Sequence, residues 1–129
     1  MNIEVNLLEG FKVQAQVDAL SIIADQPALK GGSGDFPSPY EYFLASIGLC
    51  AGYYIQSYCR ARNIETKHIS IVQKNIKQDE HPNKLRIELT VNLPEDLSEK
   101  DRMGIMRSIE GCTVKKAISA MPDFVIKLS

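Results

Sequence analysis

YFLASIGLCAGYYIQSYC, residues 42–59, is an eighteen-residue stretch without a charged side chain, and Cys50 lies at its centre. A helix that is apolar on nearly every side is normally buried on nearly every side. In a chain of 129 residues this burial is achieved most easily if a second subunit covers one face. The stretch is close to the lower length limit of a membrane-spanning helix, but it contains Gln56, serines, glycines and tyrosines. We therefore expect a helix buried in protein and no membrane association.

The residues on either side of the stretch indicate where this helix begins and ends. Ser38 suits the N-cap, Pro39 suits the first helical position, and Glu41 follows three residues after Ser38, which completes a capping box. The helix is predicted to run to about Arg62, where Asn63 is a suitable stop.

The remaining sequence contains alternating strand patterns and two further helices, which together predict an α+β fold with mainly antiparallel pairing. The cleanest strand is at residues 84–93, where apolar and polar side chains alternate, and His81, Pro82 and Asn83 are predicted to form the turn before it. Further strands are predicted at residues 3–8, 11–17, 20–24 and 67–77, helices at 98–110 and 112–120, and a last strand after Met121 and Pro122 with Phe124, Ile126 and Leu128 on one side.

Length, charge and cysteine content limit the class of protein. A chain of 129 residues corresponds to one domain, residues 1–129. Fifteen Lys and Arg against sixteen Asp and Glu give a net charge of -1, which argues against nucleic-acid binding. Three cysteines are unsuited to a secreted disulfide framework, and the first ten residues do not have the pattern of a signal peptide. We therefore expect a cytoplasmic protein. His68 and His81 share no ligand spacing with the cysteines, so neither a metal nor a cofactor is expected.

The cysteines are the candidate chemical groups. Cys50 and Cys59 are nine residues apart on one helix, hence on opposite sides and roughly 13 Å apart along its axis, too far for a disulfide. No such restriction applies to Cys50 and Cys112, although both could also be small apolar residues of the core. Cys112 precedes a predicted helix, with Lys115 and Lys116 one turn on. Because a helix N-terminus and nearby cations favour a thiolate, local sequence predicts Cys112 as the more activated thiol.

Two segments resemble the motifs of a known family. SPYEYFLASIGLC, residues 38–50, followed by RNI at residues 62–64, resembles the OsmC/Ohr superfamily of osmotically inducible and organic-hydroperoxide-resistance proteins. GCTVKK, residues 111–116, is similar to that family's second cysteine motif, which is usually Cys-Pro-Val. The order of the predicted elements and the chain length also fit. The resemblance therefore covers nearly the whole chain.

The resemblance implies an OsmC-like fold, with antiparallel sheets around a long central cysteine-bearing helix. It implies an intertwined homodimer whose sites lie at the subunit interface. Active members reduce organic hydroperoxides, and external dithiols then reduce the enzyme. By this resemblance Cys50 is the peroxidatic cysteine, which becomes a sulfenic acid, and Cys112 is the resolving cysteine, which forms a disulfide with it. The resemblance thus makes Cys50 the reactive thiol, whereas the local sequence predicts Cys112 as the more activated one.

The chain departs from the family pattern at two charged positions. Active members pair an arginine from the N-terminal strands with a glutamate directly after the helix-start proline. Here that position holds Tyr40, and the glutamate, Glu41, is displaced by one residue. No arginine precedes Arg60, and Lys12 and Lys30 are the only cations in that region. Glu41 is therefore a third candidate catalytic residue, although its place in the capping box explains it fully.

These observations lead to one main functional prediction and one alternative. The main prediction is a thiol redox protein that reduces organic hydroperoxides through Cys50 and Cys112, with a dithiol as reductant. The alternative is a non-catalytic module that binds a small apolar ligand at the dimer interface. Whether the chain is an enzyme stays open at the level of sequence.

Overall fold

A computed structural model describes all 129 residues of the chain. The elements follow one another as three strands, one turn of 3-10 helix, a long helix, two strands and two helices, and every strand pair is antiparallel. The predicted α+β class is confirmed. The elements are β1 (Ile3–Leu7), β2 (Val13–Val17), β3 (Leu20–Ala24), the 3-10 turn (Ala28–Lys30), α1 (Pro39–Ala61), β4 (Ser70–Gln78), β5 (His81–Asn92), α2 (Glu99–Ile109) and α3 (Thr113–Ser119).

The chain forms two compact units, residues 1–45 and residues 46–129. The first unit contains the sheet β1-β2-β3, and the second contains the β4-β5 hairpin and the helices α2 and α3. The long helix α1 begins in the first unit and continues into the second. That residues 1–129 act as one domain stays a prediction.

A buried carboxylate organises the loop that follows the first sheet. Asp25 accepts hydrogen bonds from the N–H of Gln26 at 2.7 Å and from the N–H of Ser33 at 2.9 Å, and the Ser33 hydroxyl donates to the same carboxylate. These hydrogen bonds, the Ser33 hydroxyl first, hold the pKa of Asp25 below its ordinary value. A Cβ at position 32 would lie 1.9 Å from the carbonyl oxygen of Gln26, so the loop closes tightly only because Gly32 has no side chain.

The capping box at the start of α1 forms as predicted. The Ser38 N–H donates to a carboxylate oxygen of Glu41 at 2.9 Å, and the Glu41 N–H donates to the Ser38 hydroxyl at 3.2 Å. The helix ends at Ala61, and Asn63 terminates it with a left-handed φ of 54°, a conformation that asparagine tolerates better than most residues. The predicted helix is therefore confirmed to within one residue at its end.

The burial of α1 differs from the expectation of a helix covered on nearly every side. Its buried residues are spaced four apart along one face: Ile47, Ala51, Ile55 and Cys59. Leu49 and Tyr53, on another face, are 73% and 62% exposed. Only one face of the helix is buried within a single chain.

The core of the second unit lies beneath the C-terminal half of α1. Ile55, Cys59 and Ile105 are fully or almost fully buried. Partly buried side chains from the hairpin, from α2 and from the loops surround them: Tyr58, Ile64, Ile69, Ile71, Val91, Leu93, Leu97 and Ile109. The alternation predicted for residues 84–93 leaves Leu85, Ile87, Leu89 and Val91 half-buried on one side of β5, and Val91 packs against this core.

The turn of the hairpin is two residues earlier than predicted. Asp79 and Glu80 form it, and His81, which pairs with Gln78, already belongs to β5. Pro82 is accommodated because the register shifts between Lys77 and Gln78, which leaves residues 82–84 without partners on β4, and a proline in such a bulge removes no ladder hydrogen bond. The prediction that residues 81–83 form the turn is therefore wrong.

The predicted last strand is also absent. Residues 121–129 contain no strand, and the side chains of Phe124, Ile126 and Leu128 are exposed. A strand requires a neighbour whose N–H and C=O groups complete its hydrogen bonds, and no other strand of the chain pairs with this segment.

No helix is both long enough and apolar enough to cross a lipid bilayer.

Candidate functional site: a cysteine pair

Cys50 and Cys112 meet in the second unit. Cys50 is half-buried in the middle of α1, and Cys112 is the N-cap of α3 and 2% exposed. The two thiols shift each other's pKa, and in this interaction the Cys112 thiol acts as the donor and the Cys50 sulfur as the acceptor. All three cysteines of the chain are free thiols, so no disulfide joins the pair.

A tight turn between α2 and α3 places Cys112 at this position. The N–H of Gly111 donates to the Ser108 carbonyl at 3.2 Å, and the N–H of Cys112 donates to the Ile109 carbonyl at 3.0 Å. The sulfur of Cys112 in turn accepts a hydrogen bond from the Lys115 N–H at 3.5 Å. This is the usual N-cap arrangement, with a sulfur in place of the more common oxygen.

The backbone at the start of α3 stabilises a thiolate on Cys50. Burial raises the pKa of Cys50, but hydrogen bonds from the Val114 N–H, the Cys112 thiol and the Thr113 N–H outweigh it, and the pKa lies below its ordinary value. Each of these three donors bonds more strongly to a negative sulfur than to a neutral one. Cys50 is therefore the thiol that ionises more readily than an ordinary cysteine.

The shift at Cys112 has the opposite sign. Burial first, and then donation of its proton to Cys50, raise the pKa of Cys112, while the N–H groups of Lys115 and Val114 oppose the change. The ranking from local sequence, which made Cys112 the more activated thiol, is thus reversed. It was wrong because donors at the start of α3 bond to a sulfur on another helix, which sequence proximity does not reveal.

Tyr54 is a site residue that the sequence did not identify. It lies one turn after Cys50 on α1, and its hydroxyl is 3.1 Å from the side-chain oxygen of Thr113. A Cβ at Gly111 would lie only 3.1 Å from the Tyr54 ring, so the ring contacts the turn before α3. The spacing of four residues from Cys50, which places two side chains on one helix face, was the available signal.

The third cysteine lies in a different environment. Cys59 is fully buried in the core with Ile55 and Ile105. Burial first, and then the negative charge of Asp101, raise its pKa. A buried thiol of this kind behaves as a small apolar side chain.

Glu41 has a structural role in the chain. Its carboxylate accepts the Ser38 N–H, and its own N–H is bonded to the Ser38 hydroxyl. The catalytic role considered for it stays a prediction. No three His, Cys, Asp or Glu side chains are arranged to hold a metal ion.

A comparison with protein families and solved structures identifies relatives of this chain. The family model for OsmC-like protein matches residues 32–127. Among the curated proteins, none matches the sequence.

Three solved structures show the same fold at low identity. A protein of Psychrobacter arcticus, described as an osmotic stress induced and detoxification response protein, is 18% identical with a TM-score of 0.73, over 91% of this chain and 87% of that chain. An OsmC-like protein of Mycoplasma pneumoniae is 17% identical with a TM-score of 0.69, over 92% and 86%. An organic hydroperoxide resistance protein of Elizabethkingia anophelis, with thiocyanate bound, is 20% identical with a TM-score of 0.60, over 91% and 87%.

Proposed function

This chain belongs to the OsmC-like protein family, and we propose that it is a thiol-dependent peroxidase that reduces organic hydroperoxides through Cys50 and Cys112. The observation that carries the proposal is that the two thiols are near enough to shift each other's pKa, with that of Cys50 lowered and that of Cys112 raised. A redox pair needs a nucleophilic thiolate with a second thiol within reach, and this contact supports both conditions.

The first step of the proposed reaction is attack of the Cys50 thiolate on the outer oxygen of the hydroperoxide. A sulfur–oxygen bond forms, the oxygen–oxygen bond breaks, and the electron pair leaves on the alkoxide, which takes up a proton to become an alcohol. Sulfur is oxidised to sulfenic acid and the peroxide is reduced. The lowered pKa of Cys50 raises the fraction of thiolate available for this attack.

The second step is attack of Cys112 on the sulfenic sulfur of Cys50. A sulfur–sulfur bond forms and hydroxide leaves, which takes the proton of the Cys112 thiol and departs as water. A dithiol then reduces the disulfide by thiol–disulfide exchange and becomes oxidised itself. The cytoplasm, where dithiol reductants are maintained, is the compartment in which we expect this cycle.

The substrate class follows from the surroundings of Cys50. The central part of α1 carries no charged side chain, since none occurs between Glu41 and Arg60. Such a surface favours an alkyl or aryl hydroperoxide over hydrogen peroxide, because burial of apolar area adds to binding. A part for Glu41 in catalysis would require its capping box with Ser38 to open.

We propose that the active form is a homodimer. Its support is the apolar surface that one chain leaves exposed: Leu49 and Tyr53 on α1, Ile3, Val5 and Leu7 on β1, and Phe124, Ile126 and Leu128 in the C-terminal segment. Such extensive exposed apolar surface is typical of a protein interface. Sedimentation equilibrium at micromolar concentration should give twice the chain mass of 14.4 kDa, whereas a monomer with full activity would remove this part of the proposal.

The reaction is tested by replacing each cysteine in turn. Cys50→Ser should abolish the consumption of cumene hydroperoxide with dithiothreitol as reductant, because serine cannot supply the thiolate. Cys112→Ser should retain the first turnover and accumulate sulfenic acid on Cys50, detected by dimedone labelling and mass spectrometry. Cys59→Ala is the matched control and should keep its activity. Peroxide consumption that survives Cys50→Ser would contradict the proposal.

One observation favours the alternative, a module that binds a small apolar ligand. No cationic side chain is among the groups that shift the pKa of Cys50, whereas attack on a peroxide benefits from a positive charge that orients it. The binding module would consume no peroxide in any of the variants above. It would instead bind an apolar fluorescent probe equally well before and after Cys50→Ser.

A further inference from the structure

Tyr54 contacts the turn that carries Cys112 on both sides of this cysteine. Its hydroxyl is 3.1 Å from the side-chain oxygen of Thr113, the residue after Cys112. Its ring packs against Gly111, the residue before Cys112, since a Cβ at that position would lie only 3.1 Å from a ring carbon. The two contacts enclose Cys112, so the Tyr54 side chain determines where the turn between α2 and α3 lies relative to α1.

Tyr54 also shares a face of α1 with Cys50. The two residues are four apart in the helix, and side chains at this spacing lie one above the other, about 6 Å apart along the axis. The turn that Tyr54 contacts therefore lies beside the face of α1 that carries Cys50. Cys112, between the two residues that Tyr54 contacts, is thereby brought to the same face.

A second tyrosine one turn further along α1, Tyr58, contacts a different part of α2. Its hydroxyl donates to a carboxylate oxygen of Asp101 at 3.2 Å, in the first turn of α2. Gly104 leaves room for the Tyr58 ring, because a Cβ there would overlap it. Tyr58 thus packs the N-terminal half of α2 against α1, eleven residues before Cys112.

We propose that Tyr54 is a positioning residue for Cys112, whose hydroxyl and ring hold the turn between α2 and α3 so that the sulfur of Cys112 reaches that of Cys50. Holding a reacting group in place lowers the entropy that is lost on reaching the transition state. The step that depends on it is closure of the disulfide. The Cys112 sulfur bonds to the sulfenic sulfur of Cys50, and hydroxide leaves, takes up the Cys112 proton and departs as water. The part in peroxide reduction rests on the proposed function, but the positioning itself does not.

The test measures how readily the two thiols close a disulfide when no peroxide is present. Reduced protein is equilibrated with mixtures of glutathione and glutathione disulfide. Closure of one disulfide between Cys50 and Cys112 consumes one glutathione disulfide and releases two molecules of glutathione. The equilibrium constant is the effective concentration of one thiol towards the other, and mass spectrometry of alkylated samples measures it.

Three variants separate the hydroxyl of Tyr54 from its ring. Tyr54→Phe keeps the ring and should lower the effective concentration by about threefold, because one partly exposed hydrogen bond is lost. Tyr54→Leu should lower it by about tenfold or more, because the ring contact with Gly111 is lost as well. Thr113→Val deletes the same hydrogen bond from its other end and should match Tyr54→Phe, with no further fall in the double variant.

Tyr58→Phe is the matched control, since it deletes a tyrosine hydroxyl bond between α1 and α2 away from the cysteine turn, and it should leave the effective concentration unchanged. An equal fall in Tyr58→Phe and Tyr54→Phe would overturn the proposal, because both would then reflect a general loosening of the helices. An unchanged value in Tyr54→Phe and Thr113→Val, or a failure of the unaltered protein to close the disulfide, would overturn it too. A protein that closes the disulfide but consumes no peroxide would remove the proposed function and leave the role of Tyr54 intact.

Discussion

Two regions of α1 shift the pKa of the same residue type in opposite directions. Near its middle, Cys50 faces the start of α3 and three hydrogen-bond donors, and its pKa is lowered. Near its end, Cys59 is enclosed by the core beside Ile105, and its pKa is raised. Both are free thiols on one helix. The difference shows that the element packed against the helix decides the reactivity of a cysteine, since position within the helix supplies neither donors nor desolvation.

The comparison between Cys50 and Cys59 is tested most directly by measuring whether the two thiols react at different rates in the native protein. Cys59 is fully buried, so a reagent reaches it only when the core opens, which costs several kcal/mol. Alkylation of Cys50 by iodoacetamide at pH 7 should therefore exceed that of Cys59 by at least about a thousandfold. Peptide-level mass spectrometry over a time course measures both rates in one sample.

The matched control for this experiment is the same reaction in a denaturant. Unfolding removes both the donors and the burial, so the two rates should become similar. Equal rates in the native protein would contradict the assignment of Cys59 to the core and of Cys50 to the reactive site.

Much of the fold was predictable because its signals are local. The capping box of Ser38 and Glu41, the stop at Asn63 and the alternation in β5 depend on residues close together in the chain, and the structure confirms each of them. The membership of the family, inferred from residues 38–50 and 111–116, is confirmed as well.

The remaining features depend on contacts that the sequence does not display. The C-terminal segment has the alternation of a strand, yet a strand forms only where a second edge is available, and the chain provides none for it. The preference for a thiolate at Cys50 arises from the N–H groups of Thr113 and Val114, which lie more than sixty residues away in the sequence. In the sequence, Asp25 does not differ from an ordinary loop residue. In the structure it is buried, and its carboxylate accepts a hydrogen bond from the Ser33 N–H.

A smaller effect is expected when one hydrogen-bond donor to Cys50 is removed, and this effect measures how much that donor contributes to the pKa difference between Cys50 and Cys59. Cys112→Ala deletes the thiol that donates to Cys50 and should raise the pKa of Cys50. Because a hydrogen bond to a charged group is lost, the alkylation rate of Cys50 at pH 7 should fall by about tenfold. The pH profile of alkylation measures the shift directly.

Cys112→Ser provides the control, since its hydroxyl retains a donor at nearly the same place. Its profile should lie closer to that of the unaltered protein than the profile of Cys112→Ala. An unchanged profile in both variants would show that the thiol of Cys112 contributes nothing to the ionisation of Cys50.

The smallest expected effect concerns stability as a function of pH, where the two regions should act in opposite directions. The ordinary pKa of a cysteine thiol is 9.0, and the pKa of Cys59 is raised above it in the folded chain. The neutral form of Cys59 is favoured by folding, so its contribution is fully present below pH 9.0 and is lost as the pH rises through the folded pKa. The pKa of Cys50 is lowered, so its contribution is present above 9.0 and is lost as the pH falls through its folded pKa. Urea midpoints between pH 7 and pH 10 should therefore decline less steeply in Cys59→Ala than in the unaltered protein. Because Cys50 also raises the pKa of Cys112, the effect of Cys50 is measured without that thiol: midpoints should decline more steeply in the double variant Cys50→Ala, Cys112→Ser than in Cys112→Ser alone. The remaining titrating groups cancel within each of these two comparisons, so slopes that change in the same direction in both would contradict the opposite pKa shifts of Cys50 and Cys59.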